Sequence, residues 1–568
     1  MRLLDSLIFR ALDRKARRLG AEFSQAADRP EDTQLRLLKT IVRRERNTGF
    51  GRDHKFSEIR TVADFRRQVP IGGYERLAPY IDRVLNGETE ALFRRQSVLM
   101  FAMTSGTSAA RKYIPVTRNS VDAHRKGWFL WALATYEGRQ HLIFRPKFNF
   151  SGDDSECFAP SGVPCGSISG FTARMQSPLV RRTYCLPLAA NKLHDTHAKY
   201  YLAWRVGLTR DVASWMSPNP STHLALARFG DANKERLIRD VRDGTLAEQY
   251  ALTSEMTRQV RHSLRPNPRR ARELEAIVRR TGHLYPKDVW PNFGLLACWL
   301  GGPLTAYLRF FPEYFGDVPK RDLGLIASEC RMTVPLEDDT PAGVLDLFGT
   351  FFEFVPVDEI DSPQPTVLLP HELQEGCDYY VLLTTSSGLY RYDIQDVVRC
   401  VGWHGRTPLI EFQHKGKHIS SVTGEKLSEI QVSRAADAAC ERLRLRLASY
   451  AVAPCFEGSI PYYGLFVELD EVGDRWAGDR LASRIDEELR QANCEYDAKR
   501  ASLRLGPLRL RPLPAGAWVE FDRKRLKKTG ATAEQYKRPR LFAELDFAAS
   551  MPTLRGVPVT AEMLPAAG

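Results

Sequence analysis

Four separated stretches carry residue types suited to gripping a phosphorylated ligand. The richest is Thr104-Ser-Gly-Thr-Ser-Ala-Ala-Arg-Lys. A phosphate group needs close backbone approach, several N–H or O–H donors and a cation. Gly106 permits the approach. Thr104, Ser105, Thr107 and Ser108 supply hydroxyls, and Lys112 supplies charge. The stretch is not a Walker A loop, because the Gly-Lys-Ser/Thr ending is missing. Next is Ser328-Glu329, at the expected end of a strand, where a carboxylate is placed to hold Mg²⁺ beside ATP phosphates. Third is Gly388-Leu-Tyr-Arg-Tyr-Asp-Ile-Gln-Asp396, in which Asp393 or Asp396 offers a carboxylate that accepts two ribose hydroxyls. Last is Gln535-Tyr-Lys537-Arg-Pro-Arg540, whose lysine, on a moving domain, would neutralise a carboxylate and an α-phosphate. Taken singly, each has an ordinary structural reading: a Ser/Thr turn, a solvated strand end, turn-forming aspartates and a basic surface turn.

The elements that must position these residues follow from periodicity. Val98-Leu-Met-Phe-Ala-Met reads as a buried strand feeding the Thr104 loop, and Ser120 to Tyr136 reads as the helix after it. Gln34 to Val42 has helical spacing, broken by a turn at Thr48-Gly-Phe-Gly-Arg-Asp. His141-Leu-Ile-Phe, Leu323-Gly-Leu-Ile-Ala, Phe351 to Val355, Tyr379 to Thr385 and Leu389-Tyr-Arg-Tyr read as strands. Asn219-Pro220 fits a helix N-cap followed by proline at the first turn. Residues 231–282 read as surface helices. A boundary falls at 415–425, and a compact β/α pattern follows. Strands alternating with helices define an α/β protein.

At 568 residues the chain is too long for one core. With 43% apolar and 27% charged residues, its composition is that of a soluble enzyme. No apolar run reaches the roughly 18 residues of a membrane span. Asp5 and Arg10 interrupt the N-terminal apolar stretch, so it does not read as a secretory signal; an amphipathic helix over Leu3 to Leu19 is expected. Ten scattered cysteines without Cys-x-x-Cys, and twelve histidines without ligand spacing, give no metal ribbon or redox motif and fit a cytoplasmic protein. The net charge of +13 is spread along many expected helices rather than gathered in one tract, so nucleic acid is not an expected partner.

The four stretches, in this order and over this length, resemble those of the plant auxin-responsive acyl-acid amido synthetases and their bacterial relatives. These belong to the adenylate-forming superfamily that includes firefly luciferase. Thr48-Gly-Phe-Gly-Arg-Asp-His-Lys-Phe, Val69-Pro-Ile-Gly-Gly-Tyr-Glu, Asn219-Pro-Ser-Thr, Leu389-Tyr-Arg-Tyr and Gln535-Tyr-Lys-Arg-Pro-Arg share the resemblance, which runs through nearly the whole chain. It implies a large N-terminal α/β domain, residues 1–418, binding ATP and the acyl substrate. A smaller mobile C-terminal α/β domain, residues 419–568, completes the expected architecture. Thr104 to Ser108 would be the ATP phosphate loop, with Lys112 beside it. Ser328 would lie at the nucleotide, and Glu329 would be the Mg²⁺-associated glutamate. Asp396 would be the ribose aspartate, Lys426 a hinge-region lysine at ATP, and Lys537 the catalytic lysine. The implied reaction adenylates a carboxylic acid with ATP and Mg²⁺, then passes the acyl group to an amino acid or other amine.

Two departures stand out. Ala109-Ala110 occupies a phosphate loop one residue shorter than the plant pattern, and Gln395 stands where glycine usually precedes the ribose aspartate. These departures admit a catalytically dead fold acting as a binding protein. An acyl-CoA ligase would share the first half-reaction and differ in its acceptor.

Overall fold

The computed structural model describes residues 17–94, 97–104, 111–193, 195–250, 252–416, 419–445, 447, 449–529, 538–552 and 554. They fall into two compact units that divide at Gly416.

The larger unit carries three main sheets. One is six-stranded and antiparallel throughout, and includes Thr350–Pro356, Asp378–Thr385, Tyr392–His404 and Thr407–Lys415 as successive neighbours. A second pairs Val98–Thr104 antiparallel with Lys112–Thr117 and parallel with Pro164–Gly166. The third is parallel, running Lys147–Asn149, Ser214–Met216, Leu295–Ala297, Lys320–Arg321. Parallel strands are buried on both faces. Here Trp204, Trp215 and Trp290 pack against one another around Phe148 beside the sheet.

Local signals place the helices. Thr117 caps Arg118–Tyr136 in a reciprocal box with Ser120, so the Lys112–Thr117 strand passes directly into this helix. Asn219 caps Pro220–Ala232, as its spacing predicts. Residues 231–282 form helices Lys234–Asp243, Ser254–Val260 and Pro268–Thr281.

Four expectations are corrected. Thr48 accepts from the Gly51 amide at 3.1 Å and caps a short helix, Gly49–Asp53, where a turn was expected. His141-Leu-Ile-Phe is no strand: Gln140–Leu142 is a 3-10 turn that buries Leu142 and leaves Phe144 exposed. Leu323 to Ala327 is not a strand either. The Asp322 carboxylate turns back to accept the Gly324 amide at 2.6 Å, and Gly324 sits at φ +87, which breaks the extended run. Leu389 to Arg391 precedes the strand rather than forming it, because Arg391 at φ +45 is left-handed; the strand begins at Tyr392. The expected N-terminal amphipathic helix falls mostly outside the described residues.

The smaller unit is built on Tyr450–Cys455 antiparallel to Tyr462–Glu468, which pairs parallel with Arg509–Leu513. Helices Glu429–Leu443 and Arg475–Ala492 bury Val432, Ala436, Leu481 and Ile485 in one apolar cluster with this sheet.

Candidate functional site

The site is assembled in the larger unit from three pieces of backbone. The first is the antiparallel pair in which Thr104 stands directly opposite Lys112. Lys112 is half-buried, with Nζ 5.7 Å from the Tyr74 ring centroid. The Tyr74 hydroxyl accepts the neighbouring Tyr113 amide at 3.0 Å, which fixes that ring. Burial pulls the Lys112 ammonium below its ordinary range, against the opposing attraction of Glu329.

The second piece is a tight turn. The Ala327 amide donates to Cys330 O at 2.9 Å and the Met332 amide to Leu325 O at 2.7 Å. Ser328 and Glu329 sit at its tip, Ser328 half-buried and Glu329 buried. A turn, not a strand end, therefore presents Glu329. The Tyr392 hydroxyl faces Glu329 Oε1 at 3.4 Å.

The third piece is the strand Tyr392–His404. Asp396 is buried and lies opposite Lys415 across the antiparallel ladder. Lys415 Nζ donates to Asp396 Oδ1 at 2.7 Å and to Ile394 O at 2.8 Å. Burial alone would lower the Lys415 ammonium, yet it is raised, because Asp396, Glu329 and Asp393 together outweigh that penalty. Asp393 is raised by burial, although its Oδ1 accepts the Gln395 amide at 2.7 Å. Gln395 itself is exposed at φ +64, and its carbonyl accepts the Gly416 amide at 2.7 Å. The turn that glycine would make easily is thus made with glutamine, at a backbone cost of about 1 kcal/mol.

The strand is entered through a charged hub. Glu353, 1% exposed, accepts Arg391 Nε at 2.9 Å and Arg66 Nε at 2.8 Å. Arg391 also donates to Val69 O at 2.9 Å. These bonds hold Arg391 left-handed and set where Tyr392 begins.

Of the residues picked out from the sequence, Thr104, Lys112, Ser328, Glu329, Asp393 and Asp396 come from these three pieces. Mutual electrostatic influence links Lys112, Glu329, Asp393 and Asp396 through Lys415. Lys426 belongs to the smaller unit. It is half-buried at φ +48, and its amide donates to Ser421 Oγ at 3.2 Å. Ser105, Gly106, Thr107, Ser108 and Lys537 lie outside the described residues. Sequence reasoning assigned no role to Lys415 and overlooked Tyr392 and the Glu353 hub.

Among the described residues no three His, Cys, Asp or Glu side chains cluster as a metal cage. A Mg²⁺ carried by nucleotide phosphates needs only one or two protein carboxylates. Glu329, buried and contacted at 3.4 Å by one hydroxyl, fits that demand.

The solved structure of the AtGH3.15 acyl acid amido synthetase in complex with 2,4-DB superposes with TM-score 0.65 at 22% identity, covering 94% of this chain and 95% of that one. A 2-hydroxyisobutyryl-CoA ligase in complex with 2-HIB-AMP and CoA superposes with TM-score 0.50 at 11% identity, covering 90% and 89%. The fold is that of the adenylate-forming enzymes. Residues 20–320, 343–415 and 430–546 match in turn the GH3 family N-terminal, central and C-terminal domains. The chain belongs to the GH3 family. Its relatives include the indole-3-acetic acid-amido synthetase GH3.8 of Oryza sativa subsp. indica, 27% identical over 89% of this chain and 87% of that protein. The indole-3-acetic acid-amido synthetase GH3.6 of Arabidopsis thaliana is 24% identical over 90% and 88%.

Proposed function

We propose that this chain joins a carboxylic acid to the amino group of an amino acid at the expense of ATP. The observation that carries the reading is the buried Asp396 carboxylate held by Lys415 at 2.7 Å, with Glu329 in electrostatic reach of the same ammonium, in a chain whose relatives are amido synthetases. In the first half-reaction a carboxylate oxygen attacks the α-phosphorus of ATP. Pyrophosphate leaves with the electron pair of the broken P–O bond, and an acyl-adenylate remains. In the second, an amine nitrogen attacks the acyl carbon, loses a proton and displaces AMP, which forms the amide.

The protein's part is placement and charge compensation. Lys112 and the Thr104 to Ser108 hydroxyls and amides would hold the phosphates. Asp396, steadied by Lys415, would accept ribose hydroxyls. Ser328 would border the nucleotide, Lys426 would act near the hinge, and Lys537 would neutralise the α-phosphate. Glu329 would hold Mg²⁺, which supplies further neutralisation of the phosphates. Residues 1–418 would bind ATP and the acid, with 419–568 as the moving part.

We place the protein in the cytosol: its ten cysteines are all free, and no helix among the described residues is long and apolar enough to cross a membrane. The test is pyrophosphate release from ATP and Mg²⁺ with a panel of carboxylic acids, with and without amino acids, followed by mass analysis. Amide product is expected. Thioester formed only with coenzyme A would replace this reading with an acyl-CoA ligase.

A further inference from the structure

Cys157 and Cys165 are eight positions apart in the chain, and the sheet sets them face to face. Strand Cys157–Phe158 runs antiparallel to Pro164–Gly166, with Cys157 opposite Cys165 and Phe158 opposite Pro164. The turn between them is closed by the Ala159 amide on Val163 O at 2.9 Å and the Gly162 amide on Ala159 O at 2.8 Å. On its other side Pro164–Gly166 pairs with the strand that ends at Thr104, Cys165 beside Phe101. The register of the two cysteines is therefore fixed from both sides. Directly opposed residues in an antiparallel pair point to one face with Cα atoms about 4.5–5.5 Å apart. That falls within the roughly 4.4–6.8 Å span of a disulfide.

Both residues are free thiols. Cys157 Sγ rests 3.7 Å from Met103 Sδ, and Cys165 Sγ rests 3.7 Å from Val163 O. The two differ in access. Cys157 is half-buried, next to a Phe158 that is 68% exposed. Cys165 is 1% exposed, and burial, reinforced by the charge and the side-chain hydrogen bond of Cys157, pushes its thiol up to about 11. A buried, protonated thiol is inert toward reagents in solution, because the thiolate is the nucleophile. A small reagent therefore meets Cys157 first, and Cys165 is left to react with the sulfur set opposite it.

We propose that Cys157 and Cys165 form a reversible thiol–disulfide site that exchanges with small-molecule disulfides. The Cys157 thiolate attacks one sulfur of the small disulfide; that S–S bond breaks, and one small thiolate leaves with the electron pair and takes up a proton. Cys165 then gives up its proton, and its sulfur attacks Cys157 in the mixed disulfide. The protein S–S bond forms, and the second small thiolate leaves and is protonated. Two protein thiols are oxidised and one small disulfide is reduced to two thiols. In a reducing compartment such a bond is transient and follows the surrounding thiol balance. The proposal stands apart from the adenylation reading.

The experiment equilibrates the full folded chain with mixtures of reduced and oxidised glutathione, then blocks remaining thiols with N-ethylmaleimide and maps tryptic peptides without reduction. Cys157 and Cys165 fall on one peptide, Phe148 to Arg174, which holds no other cysteine. Under oxidising mixtures this peptide is expected to lose both N-ethylmaleimide adducts and to weigh two hydrogens less than its free-thiol form, and dithiothreitol should restore both adducts. Cys165→Ser is expected to stop at the mixed disulfide, with one glutathione on Cys157. In Cys157→Ser, Cys165 should stay unmodified. Melting temperatures confirm that each variant is folded. Two adducts retained at every glutathione ratio overturn the proposal, as does a parent protein that halts with glutathione on Cys157. Oxidation of the peptide only in urea overturns it too, since the native register would then have no part. Glutathione on Cys165 of folded Cys157→Ser overturns the order of attack.

Discussion

Lys415 Nζ lies 2.7 Å from Asp396 Oδ1, and the two residues are direct partners across adjacent antiparallel strands. Both are buried or nearly so. Removing one member of such a pair strands the other charge in a poorly solvated place. Lys415→Met is therefore expected to cost about 3 kcal/mol of stability, read by urea denaturation. The double variant Asp396→Asn/Lys415→Met is expected to recover most of the loss. A single variant as stable as the parent would show that Asp396 does not depend on Lys415.

Gln395 occupies a left-handed backbone position at φ +64 with an exposed side chain. Glycine adopts that conformation without steric penalty but loses more freedom on folding. The two effects oppose each other, and the strain is the larger. Gln395→Gly should raise stability by about 0.5 kcal/mol, visible as a higher melting temperature. A fall in melting temperature would mean that the glutamine side chain contributes something its exposure conceals.

Burial pushes the Asp322 carboxyl up to about 7, even though the Leu300 and Gly324 amides bond to it and pull it down. An acid whose folded value is raised binds its proton more tightly when folded. Its contribution is neutral below about pH 4 and becomes progressively destabilising as pH rises toward 7. Asp322→Asn cannot ionise and should flatten this part of the profile. The gap between parent and variant in urea stability should move by about 3 kcal/mol between pH 4 and pH 7, to the parent's disadvantage at the higher pH. Parallel profiles would refute the assignment.

Much of the site's frame is legible locally. Asn219 announces a helix start by residue type, and the apolar run Val98 to Met103 announces its strand, while the helix expected from Ser120 begins two residues earlier, at Arg118, behind a Thr117 cap. The Lys415 partnership and the Glu353 hub are not legible in that way. Asp396 and Lys415 meet only once the strand register is set, and that register shifts at a bulge between Val397 and Val398. Arg66 and Glu353 are 287 residues apart, beyond any periodic signal. His141 to Phe144 misleads for the opposite reason: three apolar residues are too few to reveal a period, and here they bury Leu142 from a 3-10 turn. The turn at Glu329 is closed by the Ala327 amide on Cys330 O and the Met332 amide on Leu325 O, bonds that a preference for extended Leu and Ile conceals.

For Lys537, the family resemblance leads to a chemical expectation. Lys537→Ala should slow pyrophosphate release at saturating acid by about 100-fold, with the melting temperature unchanged. Lys537→Arg, which keeps the charge and alters its shape, should recover part of the rate. Undiminished pyrophosphate release in Lys537→Ala would remove the lysine from the adenylation step.

Thr117 joins the strand bearing Lys112 to the helix bearing His124 without an intervening loop. With no loop between them to absorb a displacement, the end of the strand and the start of the helix are one piece of capped backbone, so a shift imposed at Thr117 is carried into both.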